Sequence, residues 1–201
     1  MNKYITEAIG TFFLVAAIGL TGSPLAIAAT LLAMIYAGGY LSGAHYNPAV
    51  TVALWLRKIF PTSDILPYIG AQLVGAILAS FVVLYLKGAA ADTLKLDIGK
   101  SLLVEFIFTF ALVLVILNVA TTKKNVGNEH YGLSIAFVVL GIATAGGSIS
   151  GGAYNPAVAV SLAVMGIIAW ADIWIHLTAD LAGAAFAVSV FWVLHADEKQ
   201  K

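Results

Sequence analysis

A chain of 201 residues that is 61% hydrophobic and 10% charged, with a mean hydropathy of +0.98, cannot keep most of its surface in water, because soluble domains carry about 25% charged residues. Ten basic and ten acidic residues cancel, which leaves no electrostatic reason to expect a nucleic-acid or acidic partner. The absence of cysteine excludes disulfides, thiol catalysis and thiolate metal sites, and leaves the redox compartment unreadable.

Six apolar runs follow one another, separated by short polar breaks. The first, Tyr4–Leu20, carries Glu7. Lys3, the run itself and small residues near Ala26 imitate a signal peptide. Glu7 inside the run, and a counterpart later in the chain, argue against that reading. The second run is Pro24–Leu41, and behind it Ser42–Phe60 opens with SGAHYNPAVT. Asp64–Leu86 and Lys100–Val119 are the third and fourth, the latter with Glu105. The fifth, His130–Ala145, is followed by Gly146–Trp170, which contains SGGAYNPAVA, and the sixth is Ala171–Leu194. Several reach the roughly 20 residues needed to cross a bilayer core of about 30 Å, and six such spans use about 120 residues. The reading is one integral membrane domain over 1–201, held in a lipid bilayer.

The chain repeats itself. A shift of 108 places lays Gly38–Leu54 over Gly146–Leu162 with 11 of 17 residues identical, and sets Ile69–Ala76 on Leu177–Ala184. A shift of 98 sets Glu7–Phe12 on Glu105–Phe110. The halves are approximately 1–90 and 99–197, each reading span, span, Asn-Pro-Ala segment, span. Three spans per half is an odd number, so the second half enters the membrane from the opposite side. This is an inverted repeat, which puts a site near the midplane between the halves. With both termini cytoplasmic, Lys3, Arg57, Lys58, Lys123, Lys124, Lys199 and Lys201 lie inside, against Lys87, Lys95 and Lys100 outside. Seven against three follows the positive-inside bias.

Irregular backbone at membrane depth survives only when buried in protein or lining a water-filled cavity. Proline is accepted in the first helical turn, where its missing N–H has no partner to lose. Asn47 therefore reads as the cap of a short helix that begins at Pro48 and Ala49 and runs to Lys58. Asn155 caps its twin, which begins at Pro156 and Ala157. At about 1.5 Å per residue each helix reaches only about halfway across. Because the halves are inverted, the two N-termini meet in the middle, each with about half a positive elementary charge. A water or alcohol gives its lone pairs to the asparagine amides there, while a cation meets two positive ends and nothing to replace its hydration.

The paired Asn-Pro-Ala boxes, their Ser-Gly leads and the Glu-x-x-x-Thr-Phe of the first and fourth spans resemble the aquaporin, or major intrinsic protein, family over essentially the whole chain. The resemblance implies an all-α membrane fold of six tilted transmembrane helices plus two re-entrant half-helices. It also implies one pore per subunit, a homotetramer in the cell membrane, no cofactor or metal, and passive conduction of water or small uncharged solutes. Asn47 and Asn155 match the family's pore asparagines. One departure stands out. Most members follow the second box with an arginine that lines the outer constriction, and this chain has Val158. The other constriction positions, counted by spacing, fall at Ile27, Ala143 and Gly152, without the aromatic and histidine of water-selective members. Such a ring is wide, apolar and poor in donors. It fits glycerol, urea, ammonia or undissociated metalloid acids, with water as companion, and leaves proton exclusion mostly to the helix ends.

Glu7 and Glu105 read either as a proton relay or as acceptors for N–H groups of the irregular chain leading into each half-helix. Repeat symmetry and the resemblance favour the second role. Asp180 occupies the slot of Gln72, and three roles stay open for it: lining the pore mouth, bonding to backbone, or carrying a proton. His45 fits packing or a positioning hydrogen bond, having no second ligand at metal spacing. His130, His176 and His195 receive no role. Gly75 and Gly183 let helices cross closely, and Trp170, Trp174 and Trp192 suit an interfacial belt. The competing functions are a water-selective channel, a proton-coupled transporter using the buried carboxylates, a closed structural protein, and a membrane enzyme. The last lacks any nucleophile–base set.

Overall fold

The computed structural model describes residues 1–198, and every described element is helical. Lys199 and Lys201, counted above on the inner side, lie outside the described residues. Helix α1 (Asn2–Thr21) stops at Gly22, whose φ of 62° takes the left-handed turn that a side chain would resist. Helix α2 (Pro24–Ser42) starts on Ser23, which accepts from the Ala26 N–H, with proline at its first position. The short α3 (Pro48–Leu56) follows, then α4 (Thr62–Lys87), which contains Pro67. Helix α5 (Ile98–Ile116) is capped by Asp97 and widens into a π turn over Leu117–Thr121. Helix α6 (Tyr131–Ser150), the second short helix α7 (Pro156–Val164) and α8 (Ile173–Leu194) complete the chain.

The six long helices are each long and apolar enough to span a bilayer. Their outward faces carry large apolar side chains such as Leu66, Leu103, Phe137 and Val193, a surface that lipid accepts and water does not. This is a multi-pass membrane protein.

Most span ends shift by one or two residues from the sequence reading, and two differences have a local cause. The fifth span continues five residues past Ala145 to Ser150, because Gly146 and Gly147 stay helical and the break waits for Gly151 at φ 89°. Gly146 is kept as glycine by packing rather than by a turn: a methyl group there would run into the Tyr154 hydroxyl and the Phe108 ring. The first short helix stops at Leu56 rather than Lys58, which takes a left-handed φ of 65° as the chain turns back.

Helix α1 packs on α4 and α2, and α5 packs on α8 and α6, while α2 and α6 join the two groups. The short helices cross over: α3 lies mainly against α8, and α7 mainly against α4. Neither group therefore has a complete interior without the other. The tightest crossings are at Gly75, where an added methyl group would strike the Ala8 carbonyl, and at Gly183, where it would strike that of Phe106. Both obstacles are helix backbone and cannot swing aside. Arg57, counted above on the inner side, is buried. Its guanidinium donates to Glu198 at 2.6 Å and to the Thr121 carbonyl at 2.9 Å, and lies 4.3 Å from the Phe191 ring centroid.

Gly183→Ala should therefore force α5 and α8 apart and lower stability by about 1–3 kcal/mol. Denaturant unfolding of the detergent-solubilised protein checks this, with Gly70→Ala, which meets open space inside α4, as the control that should not destabilise.

Candidate functional site

Between α2 and α3 the chain runs irregularly from Gly43 to Asn47, with Ala44 and Tyr46 at φ 50° and 48°. Left-handed backbone at such residues costs about 1–3 kcal/mol each and persists only where surroundings impose it. Glu7 on α1 supplies much of that imposition. One of its oxygens accepts from the Ser42 hydroxyl at 2.7 Å and the His45 N–H at 3.0 Å. The other accepts from the Tyr46 N–H at 2.7 Å and the Gln72 amide at 2.8 Å. A fully buried carboxylate is costly in an apolar interior unless donors surround it, and here four do. The Gln72 amide also reaches the Thr51 hydroxyl at 3.1 Å, which faces Nδ1 of His45 at 3.0 Å. The His45 ring packs against Phe60 and Tyr68, and the Tyr68 hydroxyl donates to the Ser42 carbonyl.

The second loop follows the same plan with different partners. Gly151, Gly152 and Tyr154 carry the positive φ angles. Glu105 on α5 accepts from the Ser150 hydroxyl, the Ala153 N–H at 3.0 Å and the Tyr154 N–H at 2.6 Å. The slots of Gln72 and Tyr68 are filled by Asp180 and His176, both fully buried. Asp180 accepts from the Thr109 hydroxyl at 3.0 Å, and Nε2 of His176 meets the Ser150 carbonyl at 2.8 Å.

The two loops converge where the short helices begin. Asn47 Oδ1 accepts from the Ala49 N–H at 2.8 Å, capping α3, while its Nδ2 donates to the Tyr154 carbonyl at 2.9 Å. Asn155 Oδ1 accepts from the Ala157 N–H at 2.9 Å, capping α7, and its Nδ2 donates to the Tyr46 carbonyl at 2.9 Å. Each box is thus tied across to the loop of the other. Pro48 and Pro156 occupy the first helical position, and Ala49 and Ala157, with no exposed surface at all, let the tips abut. Each asparagine amide has two N–H groups, so one per residue stays available.

Both asparagines line a cavity of about 890 Å³. One end is bordered by Asp92–Lys95, the other by Phe60, Thr121 and Tyr131. Ile27, Ala143, Gly152 and Val158 all border it, and Leu31, Val50, Leu112 and Ile135 add apolar wall. Glu7, Glu105 and Asp180 are not among its lining residues. The 88–97 segment is strapped over the end of α7 by Ala90 and Leu94 N–H bonds to the carbonyls of Met165 and Ile167.

Sequence reasoning missed the cross-ties, since hydrogen bonds between halves leave no local signature. It also passed over His176, although the shift of 108 that paired Asp180 with Gln72 places His176 on Tyr68.

The profile of the family described as Major intrinsic protein matches residues 1–191. The chain is 37% identical to "Probable aquaporin AqpM" of Archaeoglobus fulgidus, over 83% of this chain and 73% of the relative. It is 32% identical to "Glycerol uptake facilitator protein-like 6" of Lactiplantibacillus plantarum, over 98% of this chain and 100% of the relative. Among solved structures, the aquaglyceroporin from Plasmodium falciparum superposes with a TM-score of 0.80 at 24% identity, covering 98% of both chains, which speaks to the fold.

Replacing Glu7 by glutamine turns one acceptor into a donor that faces other donors. Glu7→Gln should cost about 1–3 kcal/mol of stability and reduce the yield of folded protein, with a smaller effect on which solutes pass. Unfolding in detergent together with solute flux in liposomes separates the two effects.

Proposed function

The chain belongs to the major intrinsic protein family, and from that premise and the geometry of its cavity we propose that it is a passive channel for small uncharged solutes and water. The observation that carries this reading is the single cavity that passes both asparagines and reaches from the Asp92–Lys95 strap to Phe60 and Tyr131. In it Asn47 and Asn155 act as the central donors, with Pro48, Ala49, Pro156 and Ala157 holding the helix tips in place. One free N–H from each asparagine offers a passing hydroxyl, amide or water two donors at the point where both helix dipoles are positive. A cation finds neither a counter-charge nor a ring of carbonyls there.

The narrow ring is assigned to Ile27, Ala143, Gly152 and Val158. With a valine where an arginine would project, it is wide and apolar, so glycerol, urea, ammonia and undissociated metalloid acids fit it, with water alongside. The names carried by the relatives, an aquaporin and a glycerol uptake facilitator, agree with this range. A proton-coupled transporter is disfavoured because Glu7, Glu105 and Asp180 stand behind the loops rather than on the cavity wall. The same reading takes 1–201 as one channel domain of two inverted halves, approximately 1–90 and 99–197, assembled as a homotetramer in the cell membrane with both termini cytoplasmic.

Stopped-flow light scattering on proteoliposomes tests it. Glycerol and urea flux should rise in proportion to the gradient, without saturation. Val158→Arg should cut glycerol flux by roughly tenfold, equivalent to about 1.4 kcal/mol of barrier, while water flux survives. Fast water passage with glycerol and urea excluded by the unmodified protein would overturn the wide ring.

A further inference from the structure

The two halves differ most where the loops are anchored. In the first, Glu7 is met by four donors, the last being the Gln72 amide. In the second, the equivalent of Gln72 is Asp180, an acceptor. Its Oδ1 is held by Thr109, one turn along α5 from Glu105, and His176, one turn before it on α8, lies 3.7 Å from Glu105, so the two carboxyls are neighbours. Both acids are fully buried. Asp180 Oδ1 takes the Thr109 hydroxyl, and the buried Oδ2 has no hydrogen-bond partner among the described residues. Two bare carboxylates side by side, away from water, repel strongly, and such pairs are found sharing a proton.

The surroundings offer no substitute. From α5 the pair is faced by Thr109, and from the loop ahead of α7 by the backbone of Ala153 and Tyr154, whose phenol points away to the Ile142 carbonyl. From α8 comes His176. Its Nε2 lies 2.8 Å from the Ser150 carbonyl, which fixes the hydrogen on that nitrogen, and 3.7 Å from Glu105. Its Nδ1 has no partner among the described residues. No described lysine or arginine makes an ion pair with either carboxyl.

We infer that Glu105 and Asp180 form a buried one-proton site, in which a single shared proton turns an acceptor–acceptor contact into a hydrogen bond and ties α8 to the loop that carries Gly152. Asp180 Oδ2–H donates to Glu105, and Glu105 keeps its three acceptor bonds to Ser150, Ala153 and Tyr154. The ligand of this site is one proton and its net charge is −1. Losing the proton would set two charges against each other directly behind the cavity wall at Gly152 and Ala153. The first half has no such site, because Gln72 brings its own hydrogens.

Infrared difference spectroscopy of the full-length protein in lipid nanodiscs reads this site without reference to solute flux. At neutral pH the unmodified protein should show a protonated-carboxyl C=O band that shifts in deuterium oxide and fades as the pH is raised. Asp180→Asn, which supplies its own N–H donors, should fold and lose the band, and Glu105→Gln should lose or shift it if the first variant folds poorly. A spectrum with no protonated-carboxyl band at neutral pH would overturn the inference, and so would a band that survives both substitutions unchanged.

Discussion

Two hydrogen bonds of 2.9 Å, from Asn47 to the Tyr154 carbonyl and from Asn155 to the Tyr46 carbonyl, are the constraint to which the rest of the molecule is fitted. They join chain segments 107 and 109 residues apart, in a region where unpaired backbone polar groups are expensive. For the bonds to form, both carbonyls must turn toward the opposite loop, which requires left-handed backbone at Tyr46 and Tyr154. The cost of that backbone is met from behind, where Glu7 and Glu105 each accept the N–H of the strained tyrosine. Room for the tyrosine rings comes in turn from Gly10, Gly38 and Gly146, where any side chain would collide with them.

The crossed packing of the short helices follows from the same constraint. Once the tips meet head to head, each short helix must leave along a groove made largely by the other half, α3 beside α8 and α7 beside α4. The cavity is then bounded by both halves along its length. Its wall is mostly apolar. The conducting path and the buried carboxylates are thereby kept separate: one side of each loop faces the cavity, the other is held by an acid that does not line it.

Much of this was legible in the sequence because it is written twice. Duplication turned an ambiguous Asn-Pro into a capped half-helix, and the odd number of spans per half fixed how the copies face one another. Pro48 and Pro156 marked the helix starts to the residue. What was not legible depends on contacts across long separations. Nothing near Gly146 distinguishes a helical glycine from a breaking one, since the ring that demands it belongs to Tyr154 eight residues on. The burial of Arg57 has no local signal, because its partner Glu198 lies 141 residues away in sequence. Asp180 stands out in the sequence as a mismatch in the repeat, but only the fold sets it beside Glu105.

The most direct measurement uses the natural absence of cysteine. Val158→Cys places the only thiol of the chain on the cavity wall one residue beyond the second box, and mercury binding can be counted by mass while solute flux is recorded in liposomes. The account predicts that one mercury per chain suppresses glycerol and water flux together, and that removing it with a thiol restores both. Full occupancy of that cysteine with flux unchanged would contradict a path running past the two asparagines.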